Sequence, residues 1–290
     1  MLGKIALFFT AVLASHCYEL SFKVTKKEDF PAAHFSTKIK KVVYINLDGV
    51  REKDIKNDLM SLKTDFVLRN FRVQYKGKED KCAVSNSSNI SLPAYASIFS
   101  GEQQRNILDN FFSGRISNPT LFDIIEKSYA FSAWPNIQQV MSNSEEIRNK
   151  KIFITSVGHL PTPEDISVME SWKTNKDKKS MFDFILFGDA DKFAHWGLGK
   201  KYFNSISTQI EYIKEIIYLN ERMSAQNTFY IISTDHGRGE GIHWINHGPY
   251  VPESKYIWIL TISPEYIDLF NNSDCNHVNI NKGIKRVLGF

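Results

Sequence analysis

Cysteine is scarce in this chain of 290 residues: Cys17, Cys82 and Cys275 are the only three. Their wide separations match no thiolate metal site, which excludes iron–sulfur and structural zinc classes. An excess of positive charge is missing too. Lys and Arg number 36 against 32 for Asp and Glu, a formal net charge of +4. No dense basic block interleaved with aromatics occurs, and the lysines of residues 173–179 read as a solvated loop, so a nucleic-acid duplex is not an expected partner. The uncharged run from Ile5 to Ala14, preceded by Lys4, is too short to cross a bilayer comfortably and has the pattern of a secretory leader cut near Ala14 or Ser15. A short buried helix is the alternative for this run. The expected layout is a leader at 1–16, a polar arm at 17–40 and a folded domain at 41–290, with no membrane-spanning helix once the leader is removed. His16 stands where a lipoprotein signal wants a small residue ahead of Cys17, so a soluble secreted or periplasmic protein is expected. In such a compartment Cys82 and Cys275 could pair; two buried thiols are the other possibility. Repeats, low-complexity tracts and domain linkers are likewise missing, and oligomeric state is not fixed by the sequence.

What is present centres on the stretch Asn89 to Gly101. Pro93 suits an opening helical turn, Tyr95, Ile98 and Phe99 fall on one apolar face, and Gly101 supplies a stop. Ser91 would then sit on the first turn, where free backbone N–H groups and the helix dipole favour an anion. A simple helix cap would look the same.

Three apolar strands are expected at Lys41–Leu47, Phe182–Gly188 and Thr228–Thr234, with weaker ones at Ala130–Trp134, Ile152–Val157 and Tyr256–Ile262. Helical patterns lie at 52–70, 119–127, 136–151 and 200–223, with a short one at the tail; residues 161–179 read as a substrate-facing cap or a surface excursion. Alternation of this kind predicts an α/β fold, a three-layer α/β/α sandwich around a mostly parallel central sheet. Each strong strand delivers an acid at or just past its carboxyl end: Asp48, Asp191 and Asp235. Of eight histidines, His195, His236, His243 and His247 cluster late in Gly-containing turns. Asp191 and His195, four apart, would face one ion from a single helical turn. Carboxylate and imidazole without thiolate suit zinc or manganese, and six such donors with Ser91 are enough for two ions.

At these residues the chain resembles the alkaline phosphatase superfamily, nearest its nucleotide pyrophosphatase/phosphodiesterase branch and bacterial relatives. The resemblance runs in order through Asp48-Gly49, Ser91 to Gly101, Leu108-Asp109-Asn110, Pro119-Thr120-Leu121, Asp191 to His195, Thr234 to Gly237 and His247-Gly248. It implies an alkaline phosphatase-like catalytic domain at 41–290. One divalent ion would be held by Asp191, His195 and His247, and a second by Asp48, Asp235, His236 and the Ser91 oxygen. His243 fits the closing motif less well than His247. Asn110 takes the place of the asparagine that donates to a phosphoryl oxygen. The implied chemistry is hydrolysis of a small phosphate ester, as phosphodiesterase or phosphatase, through a phosphoserine on Ser91, with zinc the expected metal and manganese possible.

Departures bear on substrate. Ser91 replaces the Thr common in the diesterase branch, and Ala94-Tyr95 replaces its Asn-His. Tyr95 also stands where a sulfatase would carry Arg, which argues against sulfate esters. Sulfatase or phosphonate hydrolase activity, and a non-catalytic metal-binding module, are the competing readings; Arg51 or Arg238 near the metals would favour a dianionic monoester unless paired with a carboxylate.

Overall fold

The computed structural model describes residues 39–85, 88–104, 106–111, 115–155, 162–176, 179–224 and 227–290. The expected leader and nearly all of the polar arm lie outside the described residues.

Seven strands form one sheet: β1 (Lys41–Leu47), β2 (Arg72–Lys76), β3 (Ser128–Ser132), β4 (Ile152–Ile154), β5 (Phe182–Phe187), β6 (Thr228–Ser233) and β7 (Ile259–Ser263). Their order is β2-β7-β6-β1-β5-β3-β4. The strands β6, β1, β5, β3 and β4 run parallel, and β7 runs against both β6 and β2. The three strongest apolar runs of the sequence are thus the three central neighbours, with Val42 of β1 opposite Phe182 on one side and Phe229 on the other. All residues of β1, β5 and β6 are buried, as a strand covered on both faces requires.

The helices are α1 (Glu52–Leu68), α2 (Ser91–Ser100), α3 (Leu121–Ile124), α4 (Gln138–Met141), α5 (Glu145–Lys151), α6 (Asp165–Asn175), α7 (Asp189–His195), α8 (Gly199–Ser224) and α9 (His277–Leu288). Strand alternation divides the core between them. Val42 and Tyr44 pack with α2, α4 and α9 on one face, and Val43, Ile45 and Leu47 with α1, α6, α7 and α8 on the other. This is the three-layer α/β/α sandwich that the alternation predicts. No helix among the described residues is long and apolar enough to cross a membrane.

Three local expectations need correction. Residues 165–175 are neither cap nor surface excursion: Val168, Met169 and Trp172 of α6 are buried under the sheet. The helix expected at 119–127 is the single turn α3, with the Thr120 hydroxyl accepting from the Phe122 N–H and the Asp123 carboxylate accepting from the Thr120 N–H at 2.8 Å. Strand β2 was not expected at all. Val73 and Tyr75 alternate with Arg72, Gln74 and Lys76, a short half-buried edge pattern easily lost beside a long helix. Cys82 and Cys275, 193 residues apart, form a disulfide with Cα atoms 4.5 Å apart, so the pairing left open by the sequence is made.

Candidate metal centre and nucleophile

Parallel neighbours end at the same edge, so β1, β5 and β6 bring their acids together. Asp48 follows β1 directly, Asp235 lies two residues beyond β6, and Asp191 sits in the first turn of α7 after β5. Two sets of groups lie close enough to share an ion: Asp48, Asp235 and His236, and Asp191, His236 and His247. His236 belongs to both. His195 completes the second set from the last residue of α7, with its Nε2 3.1 Å from Asp191 Oδ2 and 3.0 Å from His247 Nε2. The i,i+4 spacing of Asp191 and His195 therefore does face one point. His243 is exposed in a one-turn segment and outside the cluster.

Each donor is held so that one atom faces the cluster. Asp48 receives the Tyr95 hydroxyl on Oδ2 at 3.0 Å, leaving Oδ1 3.7 Å from His236 Nε2. Asp235 receives the Gly49 N–H on Oδ1 at 3.0 Å, and its buried Oδ2 has no hydrogen-bond partner. Asp191 receives Arg238 on Oδ1. The Nδ1 of His236 lies 2.8 Å from the Gly237 carbonyl, and that of His247 3.0 Å from the Asn89 carbonyl, so each ring donates there and presents a lone pair at Nε2. His195 differs, since its Nδ1 faces the Arg238 guanidinium at 3.5 Å, a donor, which places its proton on Nε2.

Electrostatics agree with a site shaped for cations. Burial, reinforced by Asp235 and Asp191, drives the Asp48 carboxyl well above the usual carboxylate range. Burial likewise pushes Asp235 up to about 7 against the pull of the Gly49 N–H. Partial burial acts upward on Asp191 as well, yet Arg238 and then His195 hold it well below the usual range. Burial lowers His236 to about 4, and burial with the neighbouring His236 lowers His247 to about 3, so both rings are neutral at pH 7. Three carboxylates meeting one guanidinium, with an orphaned buried oxygen and two imidazole lone pairs aimed inward, fit divalent ions bound by oxygen and nitrogen.

Ser91 opens α2 after the extended Ile90, and its Oγ lies 3.1 Å from His236 Nε2 and 3.4 Å from Asp48 Oδ1. The expected row of free N–H groups at this helix start is not there. Leu92 N–H donates to Asn110 Oδ1 at 2.9 Å, Pro93 has none, and Ala94 N–H donates to the Ile90 carbonyl. With its oxygen so engaged, Asn110 has its NH2 end left as a donor one residue along the helix start from Ser91. Sequence reasoning missed the supporting roles of Tyr95 and Asn89. Asn89 carries a left-handed φ of 49°, which Asn tolerates and which aims its carbonyl at His247; its place just ahead of Ser91 was the available signal. Gly49, at φ +60°, is packed so tightly that a Cβ would come within 2.2 Å of Asp191 Oδ1. Arg51 and Arg238 are both committed to carboxylates, Asp54 and Asp191.

No protein-family profile matches the chain, and no curated protein sequence does. Solved structures do. The chain is similar to alkaline phosphatase from the Antarctic bacterium TAB5, with TM-score 0.56 and 10% identity over 87% of this chain and 98% of that one. It is similar also to the C-terminal periplasmic domain of EcEptC from Escherichia coli, with TM-score 0.57 and 10% identity over 88% and 83%. A third is BT1596, a 2-O GAG sulfatase, with TM-score 0.56 and 10% identity over 87% and 71%. The chain has the alkaline phosphatase-like fold. Within that fold, the strand-end acids, the histidines and Ser91 occupy the carboxyl edge of the sheet, where open α/β sheets carry ligands.

Proposed function

We propose that this protein is an exported, metal-dependent phosphodiesterase that acts through a phosphoserine on Ser91. The observation that carries the reading is Ser91, 2% exposed at the start of α2, with its hydroxyl 3.1 Å from His236 Nε2 and 3.4 Å from Asp48 Oδ1 at the edge of the carboxylate and imidazole cluster. Asp48, Asp235 and His236 with Ser91 would hold one divalent ion, and Asp191, His195 and His247 another, zinc or manganese by donor chemistry. Bound there, such ions supply Lewis-acid charge to the ester oxygens and lower the proton affinity of the serine hydroxyl.

The chain's own residues supply the rest. Ser91 Oγ, 3.4 Å from Asp48 Oδ1 and 3.1 Å from His236 Nε2, lies beside the atoms that would hold the same ion; its proton would leave to solvent as the oxygen attacks phosphorus and the ester's leaving group departs. The Asn110 NH2 group, whose amide oxygen is held by the Leu92 N–H, would donate to an equatorial phosphoryl oxygen. Neutral His236 and His247 leave the local field to carboxylates and ions.

Two observations favour a singly charged diester over a monoester or a sulfate. Arg51 and Arg238 are spent on carboxylates, so neither meets a second substrate charge. Tyr95, standing where a sulfatase carries Arg, is fully buried and donates to Asn46 and Asp48. Export is supported by the Cys82–Cys275 disulfide and by the leader-like run at Ile5–Ala14. Initial rates on aryl phosphodiester, monoester and sulfate with added zinc or manganese test the reading. The diester should turn over fastest; a sulfate preference, or no turnover of any ester with metal bound, would overturn it.

A further inference from the structure

The two donor sets differ in one respect that none of the motifs announces. Arg238 is completely buried, and its guanidinium lies inside the outer set: Nη1 donates to Asp191 Oδ1, Nη2 faces His195 Nδ1 at 3.5 Å, and Nε and Nη2 donate to the Trp244 and Ile245 carbonyls. Every nitrogen of the group is engaged, so the charge is fixed in place. The inner set is held by neutral groups only: the Tyr95 hydroxyl, the Gly49 N–H and the Gly237 carbonyl. It also has two carboxylates where the outer set has one.

We infer that the two cation positions are unequal: the Asp48, Asp235 and His236 position fills first and tightly, and the buried Arg238 guanidinium makes the Asp191, His195 and His247 position weak and exchangeable. The physical basis is direct. A divalent ion at the outer set must sit beside a fixed positive charge that already neutralises its only carboxylate, and that guanidinium, fully buried, has no water of its own to screen it. His195 adds to the difference, because the donor at its Nδ1 favours the tautomer that carries a proton on the ligating Nε2. The guanidinium leaves Asp191 Oδ2 as the one carboxylate oxygen facing the outer ion. In exchange the outer set needs no ion to stay assembled, since Arg238 ties α7 to the loop that follows β6.

This inference rests on the proposed metal site and is tested by binding, not turnover. Chelator-stripped protein is titrated with zinc alone and followed by calorimetry and by metal content after gel filtration. Two classes of site are expected, differing in affinity by about tenfold or more, with one ion retained per chain after filtration. His195→Ala, at an exposed position, should abolish the weak step only, and the isosteric Asp48→Asn should abolish the tight one. Arg238→Gln, if it folds, should bring the two classes together. Two equal classes in the wild type, or loss of the tight step in His195→Ala, would overturn the inference while leaving the metal site intact. No zinc binding at all would overturn the proposed function and this inference with it.

Discussion

The strand β1 is bracketed by two buried charged residues that meet opposite fates. At its start Lys41 pairs with Asp183 of β5 at 2.7 Å, both side chains almost fully buried. Just past its end Asp48 lies among Asp235 and Asp191, and the Arg238 guanidinium nearby is spent on Asp191. At one end of the sheet the chain neutralises a buried acid with its own lysine; at the other it gathers three acids and leaves most of their charge to something else. Uncompensated buried charge is costly enough that it is kept only where a counter-ion or a reaction repays it. The contrast locates the working end of the molecule without any appeal to likeness.

The largest effect should come from removing a donor at the working end. Asp235→Asn replaces the orphaned Oδ2 with an amide and should cut turnover by about 10³-fold or more, with little loss of folded protein. Retention of wild-type rates in steady-state assays would erase the contrast. At the opposite end, Lys41→Met leaves Asp183 charged and unpaired, which should lower stability by roughly 3–5 kcal/mol in denaturant melts. Metal content and turnover per folded molecule should stay as they are. If Lys41→Met instead removed metal, the two ends would not be separate.

The smallest test uses protons. Glu221 of α8 accepts from the Tyr230 hydroxyl at 2.7 Å, and burial raises its pKa to about 7. A raised folded-state pKa means that its contribution to stability is fully present below pH 4.5 and is lost as pH rises through 7. Asp235, also near 7 without metal, works in the same window and direction. Thermal melts of stripped protein should therefore fall between pH 4.5 and 8. Zinc should remove the part of that slope owed to Asp235 and Asp48, and Glu221→Gln a further part of about 1–2 kcal/mol, with buried Asp165 supplying the rest. A slope indifferent to zinc would mean that Asp235 holds no ion.

Much of the fold and most of the site could be read from residues alone. Runs such as Val42 to Leu47 and Phe182 to Phe187 are apolar at every position but one, Asn46 and Asp183, and such near-continuous runs ask for a strand covered on both faces. The acid after each run then follows from chain geometry, as does the shared face of Asp191 and His195 one helical turn apart. The sequence allows Arg238 either a place near the metals or a carboxylate partner, and it does not single out Asp191, because that contact joins residues 47 apart across α8 and β6. Tyr95 was assigned to the core, and its ring is there, stacked near Phe99; only coordinates show its hydroxyl reaching past the core to Asp48. Strand β2 and helix α6 were obscured because short or weakly periodic segments carry too few residues for a pattern to rise above composition. The row of free N–H groups expected at Ser91 failed for a similar reason, since Asn110 reaches Leu92 from 18 residues away.

The most direct measurement is to mix metal-loaded protein with an aryl phosphodiester, quench in acid within the first turnovers and map the digested chain by mass spectrometry. One phosphoryl-ester adduct on the peptide that contains Ser91, missing in Ser91→Ala, is the predicted result. Steady turnover with that peptide unmodified, or an adduct on any other side chain, would contradict the account.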